Sequence, residues 1–243
     1  MSTLARSSAV LRNWANPADD AGELARLEAR LPPLLSIIAG MVDLTGFFIL
    51  GHIFTAHITG NLVVAAAAAV HGGSFNLAQA LAIPVFMLAL AIVRLIAQAS
   101  HRRGPSLARL LLVVQFFLLA AVLIFSVITR PSTGQHELMA GVAVMIAVSA
   151  MACQYALLRL AIPGAISTAV MTGNLTNTVL SLMDLVSSRD PLLPVDAGRS
   201  RRSLHLLLGF LLGCVVGAAA VSQLGDWAWS IPVALAAVAI AMR

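Results

Sequence analysis

Thr55-Ala56-His57-Ile58-Thr59-Gly60-Asn61-Leu62 recurs as Thr168-Ala169-Val170-Met171-Thr172-Gly173-Asn174-Leu175, with six of eight residues identical at an offset of 113. Applied to residues 34–129, that offset gives 147–242, one residue short of the last. The chain is therefore expected to be two tandem halves, each with a first helix, a Thr-Gly-Asn segment and two further helices. The local chemistry predicts a helix break at each copy. Thr is a good N-cap acceptor, Gly admits positive φ, and Asn both caps and tolerates left-handed backbone. A half-helix starting there aims unpaired N–H groups and a partial positive charge into the protein. The alternative is a continuous helix in which Gly60 and Gly173 are close-contact points.

What surrounds the duplicated octapeptide decides its setting. Of 243 residues, 60% are hydrophobic and 10% are charged, and mean hydropathy is +0.94; a globular chain carries about 25% charge. Apolar runs cover Leu34–Val70, Leu77–Ala97, Leu107–Thr129, Leu138–Leu158, Ala165–Val186, Leu204–Val221 and Trp227–Met242. About 20 apolar residues cross a hydrocarbon core of about 30 Å. The expected fold is an all-α polytopic membrane protein. Composition excludes a cytosolic enzyme, a secreted disulfide scaffold and a nucleic-acid binder. Cys153 and Cys214 sit in apolar runs without a CxxC motif and read as small core residues.

The net charge of +5 comes from fifteen basic residues that are all arginine. With abundant alanine, that usage suggests a GC-rich bacterial genome, and hence the inner membrane. Arginines cluster at 26–30, 102–109 and 199–202, whereas 71–76 and 224–227 contain none. The positive-inside rule then puts 1–33, 98–106 and 187–203 in the cytoplasm, with both termini. The run Leu34–Val70 has 37 residues, about 55 Å of helix and too long for one straight span. One crossing plus a broken or re-entrant helix in each half gives six crossings; counting eight would export the His101–Arg103 loop. Three crossings per half invert the second half relative to the first, as in many secondary transporters. The expected divisions are a cytosolic segment 1–33, a first repeat 34–129 and a second repeat 138–243. Within 1–33, Asn16 caps a short amphipathic helix, Leu24, Leu27 and Leu31 share its apolar face, and Pro32-Pro33 ends it.

Gly40-x-x-Asp43, Gly51-x-x-Phe54 and Thr-Gly-Asn in the first half, with Gln154-Tyr155-Ala156-x-x-Arg159-x-x-x-x-Gly164 and Thr168-x-x-x-Thr172-Gly173 in the second, resemble the YoaK-like family of bacterial integral membrane proteins, a domain of unknown function (1275). The family pattern has Asn where Tyr155 stands. The resemblance spans about 34–242 and implies a helical membrane fold without naming a substrate.

Asp43 stands out chemically. Nine residues into its run, it should lie about 14 Å deep, where an ionisable group is costly and a functional candidate by default. It reads as a proton- or cation-coupling group, or as the partner of Arg159; Arg94, near a helix end, can snorkel. Thr59, Gly60, Asn61, Thr172, Gly173, Asn174 and Gln154 are the candidate substrate-binding residues. Gln115, Thr176, Asn177 and Thr178 either line a polar cavity or bond between helices. His52 and His57 are badly spaced for a metal, and neither metal nor cofactor is expected. Trp227 and Trp229 read as interfacial anchors.

The expected activity is that of a small-molecule secondary transporter for an anionic or zwitterionic substrate, in the lipid bilayer, with a homo-oligomer left open and nucleic acid excluded. It is expected not to be an enzyme. The alternatives are a non-catalytic scaffold or sensor and an intramembrane enzyme in which Asp43 works with Arg159, His57 or Thr59.

Overall fold

In the computed structural model, residues 17–71, 77–131, 137–168, 170–187 and 197–242 are described. They form α1 (Pro17–Ile49), α2 (Ile58–His71), α3 (Leu77–Ala99), α4 (Gly104–Thr129), α5 (Glu137–Ala161), α6 (Met171–Ser187), α7 (Ala197–Leu224) and α8 (Ser230–Ala241), with a 3-10 turn at Gly225–Trp229. Five stretches are long and apolar enough to cross a membrane: Ala21–Ile49, Leu77–Ala99, Gly104–Thr129, Leu138–Ala161 and Ser200–Ala241. The chain is an all-α multi-pass membrane protein. The expected cap Asn16, the loop residues 72–76 and most of 187–196 lie outside the described residues.

Two expectations about helix ends are corrected. The short amphipathic helix does not end at Pro32-Pro33, because α1 runs unbroken from Pro17 to Ile49 through both prolines. An interior proline removes a hydrogen bond and crowds the preceding turn, a defect that packing partners can absorb within a bundle. Here Leu31 and Leu35 flank the prolines and are fully buried, and the Pro33 carbonyl faces Gly209 of α7. The expected final crossing, Trp227–Met242, is not one α-helix: it is divided between the 3-10 turn Gly225–Trp229 and a helix of 12 residues, about 10 Å and about 18 Å long. Its Trp227 is exposed, but Trp229 is buried and belongs to the core.

The tightest seam joins the start of the chain to its end. Ser36 Oγ donates to the Leu206 carbonyl at 2.6 Å, and Glu28 meets Arg202. A Cβ added at Gly213 would strike the Ile37 carbonyl, and one at Gly40 the carbonyl of Phe210. Only glycine permits that approach of two backbones. Residue numbers rise together along these contacts, so α1 and α7 run parallel.

A second parallel pair is α3 with α5. Ala78 faces Gly141 near both N-termini, and Phe86 meets Tyr155 further along, with ring centroids 6.1 Å apart. Helix α4 takes the sense of α1: Arg109 pairs with Glu23 near both starts, and Ser126 reaches Asp226 beyond the end of α7. The four-residue turn between α3 and α4 makes α3, and with it α5, run the opposite way. Arg26, Arg30, Arg94, Arg109, Arg159, Arg201 and Arg202 therefore gather at one end of the bundle.

Candidate functional site

The path of the chain between α1 and α2 begins with two left-handed residues, Gly51 at φ 85° and His52 at φ 61°. A helix cannot continue through them, so residues 50–57 turn back across the end of α1. Three consecutive backbone N–H groups then point at one carboxylate. Asp43 Oδ1 accepts from Thr55 and Ala56, both at 2.8 Å, and from His57 at 3.3 Å. Its Oδ2 meets Nδ1 of His57 at 2.7 Å, and with the carboxylate ionised that nitrogen is the donor. The His57 ring sits edge-on to Phe210 of α7, with centroids 4.9 Å apart. Asp43 is 5% exposed. A buried carboxylate is tolerable when charge-assisted donors surround it, as here.

Thr59-Gly60-Asn61 forms the first turn of α2. Asn61 clamps the loop: its Oδ1 accepts from Phe54 N–H at 2.8 Å and its Nδ2 donates to the Phe54 carbonyl at 2.7 Å. Gly60 lies beneath the Phe54 ring, 3.0 Å from where a Cβ would stand.

The second half repeats this with other side chains. The chain leaves α5 at Ala161, and Thr172-Gly173-Asn174 forms the first turn of α6. Asn174 Nδ2 donates to the Ser167 carbonyl at 3.0 Å, again seven residues back, and Phe54 and Ser167 stand at the same offset of 113 as the asparagines. The positions matching Asp43 and His57 hold Ala156 and Val170. Among the described residues no carboxylate stands where Asp43 does in the first break; that of Glu28 in α1 lies against Gly164 at the edge.

A cavity of about 900 Å³ lies there instead. Ser167, Gly173, Asn174 and Asn177 line one side, and Arg94, Arg159 and Arg202 line the arginine-bearing end. Tyr155 also lines it and donates its hydroxyl to the Ala56 carbonyl at 3.0 Å. Ala56 in turn donates to Asp43. One residue pair thus separates this vestibule from the buried carboxylate.

The structure brings some predicted site residues together and scatters others. Asp43 does not pair with Arg159; its partner is His57, because the loop folds back over the end of α1, and Arg159 is left facing the vestibule. Gln154 is fully buried, accepts from Gln115 at 2.7 Å and donates to the Leu35 carbonyl at 2.9 Å. It does not line the vestibule. Thr59 and Thr172 are exposed and do not line the vestibule, and the hydroxyls of Thr176 and Thr178 bond back to carbonyls of α6 itself. Gly173, Asn174 and Asn177 do line the vestibule. His52 packs against Phe47 at 5.0 Å, away from the Asp43–His57 pair. Sequence reasoning named His57 beside Asp43 only in the enzyme alternative and preferred Arg159 as its partner; it missed Tyr155 as the bridge, and Arg94 and Arg202 as wall residues. The one available signal was that His57 interrupts the repeat only two residues before Thr-Gly-Asn.

A family model described as a protein of unknown function (DUF1275) matches residues 31–242. No curated protein and no solved structure matches the chain.

Proposed function

The chain belongs to the DUF1275 family, and we propose that it is a small-molecule secondary transporter of a bacterial inner membrane, with six crossings in two inverted halves. The observation that carries this reading is the pair of chain breaks, one of which opens into the vestibule. Irregular backbone at membrane depth is tolerated where it is buried in protein or lines a water-filled cavity, and inverted-repeat transporters place their sites there. Helix sense supports the inversion. The first helices of the two halves, α1 and α5, run oppositely, and so do α3 and α7. Exchanging the halves also exchanges the two parallel pairs, α1–α7 and α3–α5. The arginine-rich end is cytoplasmic in this reading, with α2 and α6 as half-helices.

Asp43 is the coupling group. A proton added to its carboxylate weakens three backbone hydrogen bonds at once and loosens residues 50–57, which Tyr155 ties to the vestibule wall. Gly173 and Asn174 supply the site from the second half, while Asn61 holds the first break in shape. No enzymatic reaction is assigned.

The test is electrical recording of charge movement on reconstituted protein, challenged with a panel of small organic acids and amino acids under an imposed pH gradient. At least one compound should give a saturable current in the wild type, and Asp43→Asn should abolish it while the protein stays folded. Undiminished transport by Asp43→Asn removes the coupling role. Responses equal to those of empty liposomes across the panel remove the transporter. For orientation, a cysteine at Ser74 should react with an impermeant thiol reagent from outside, and one at Ser106 should not.

A second reading, a non-catalytic scaffold, draws support from one observation. Asn61, Asn174 and Gln154 all direct amide groups to the protein's own backbone. The scaffold reading expects no current from any compound.

A further inference from the structure

The vestibule wall carries charge that none of the described residues neutralises. Arg94 lies near the end of α3 and Arg159 near the end of α5, and both line the same cavity. Neither takes part in an ion pair or hydrogen bond among the described residues. The third arginine, Arg202, meets Glu28 Oε1 at 3.5 Å. That carboxylate lies against Gly164, another vestibule residue, so the wall has three guanidinium groups against one carboxylate already engaged. Two positive charges are left over. Both guanidinium groups are exposed at the arginine-rich end, so they stand open to a soluble anion entering the cavity.

The rest of the wall indicates what kind of anion fits. At about 900 Å³ the cavity is of a size that takes small organic ligands, for which the range is roughly 300–1,000 Å³. Leu90, Leu158, Ile166 and Val170 give it apolar surface, and Asn177 adds an uncharged hydrogen-bonding group. Helix α6 begins on it with Gly173 and Asn174, so the positive end of a 17-residue helix dipole is directed there as well. Guanidinium groups match carboxylate and phosphate oxygens with paired, parallel hydrogen bonds.

We propose that the vestibule binds a small organic dianion, with Arg94 and Arg159 as its charge-matching residues. This rests on the transporter reading and names the chemical class of its substrate. The same oxyanion chemistry is offered by an anionic lipid headgroup, and the proposal commits to the soluble source.

The test is equilibrium binding of radiolabelled succinate, with inorganic phosphate as competitor, to the full chain in neutral detergent. Saturable binding is expected. Arg94→Gln and Arg159→Gln should each weaken it about tenfold or more, the loss of a charge-assisted contact. Arg159→Lys, which keeps the charge but not the fork, should fall between, and Arg102→Gln in the exposed turn after α3 should bind as wild type. Absence of saturable succinate or phosphate binding at millimolar concentration overturns the proposal, as does an Arg159→Gln variant that binds normally. In nanodiscs, succinate should bind equally in neutral lipid and in lipid containing phosphatidylglycerol. Occupancy by phosphatidylglycerol that succinate cannot displace makes the site a headgroup seat and also overturns it. Failures of the two readings separate cleanly. Succinate binding without transport removes the transporter and keeps the site, whereas transport of neutral or cationic solutes without succinate binding does the reverse.

Discussion

At the first break a carboxylate occupies the turn, and at the second the same turn stands around open space. Asp43 gathers N–H groups from residues 55–57, while its counterpart is Ala156 and the counterpart of His57 is Val170. Both breaks keep the asparagine that reaches seven residues back, to Phe54 in one and Ser167 in the other. What the halves share is therefore what the backbone needs in order to leave one helix and start another. What they do not share is a carboxylate gathered in by the turn's own N–H groups. A duplicated motif can thus give one copy that closes on itself and one that opens on a cavity, without either changing its main-chain path.

The largest effect expected is at Asp43. Asp43→Ala removes the acceptor for three buried N–H groups and should cost about 4 kcal/mol in reversible unfolding from mixed detergent micelles. Asp43→Asn keeps one acceptor oxygen and should cost about 2 kcal/mol. In the other half, Val170→His, at the half-exposed position that matches His57, should stay within about 0.5 kcal/mol. Equal losses at the two positions would mean that the first break is not held by charge.

Gly60→Leu and Gly173→Leu come next. Added side chains must displace the Phe54 ring in one break and Val170 in the other, and overpacking of this kind costs about 1–3 kcal/mol. Both variants should also block transport, Gly173→Leu by intruding on the vestibule. A Gly173→Leu protein that transports normally would separate the cavity from the activity.

The asparagines sharpen the comparison most finely. Asn61 makes two hydrogen bonds to Phe54, so Asn61→Ala should cost about 2 kcal/mol, and Asn174→Ala about 1 kcal/mol. Transport should rank them the other way, because only Asn174 faces the vestibule. If stability and transport rank them alike, the two breaks do the same job. A loss as small as that of Asn174→Ala belongs to the bridge between them. Tyr155→Phe deletes one hydrogen bond, to the Ala56 carbonyl, for about 1 kcal/mol. Its signature is a change in how transport depends on pH, with substrate affinity unchanged.

Helix positions were the most legible part of the sequence. The apolar runs Leu77–Ala97 and Leu107–Thr129 became Leu77–Ala99 and Gly104–Thr129, because a span length is set by the bilayer and not by distant partners. The breaks before Thr-Gly-Asn were legible too, since turn-forming residues and the long run Leu34–Val70 both demanded them. What depended on distant contacts was not. Pro32 and Pro33 look like a helix end until α7 is packed against them. Arg159 looks like the counter-charge of Asp43 until the loop delivers His57, 14 residues along the chain. Trp229 has the sequence position of an interfacial anchor, yet the turn after α7 directs it into the core.

The glycine seam between α1 and α7 also governs how the protein is made. The partners that meet at Ser36 and Leu206 are 170 residues apart in the chain. At a synthesis rate of roughly 5–20 residues per second, α1 waits on the order of 10 seconds or more in the bilayer before α7 emerges. During that interval its open face, with Ser36 and Gly40, has only lipid or the insertion machinery beside it. Biogenesis is thus bound to finish at the C-terminal half, and a nascent chain arrested before α7 should be a substrate for quality-control proteolysis. Supplying 138–243 as a separate polypeptide should rescue such a fragment, because the seam needs the two helices to meet and does not need them to be joined.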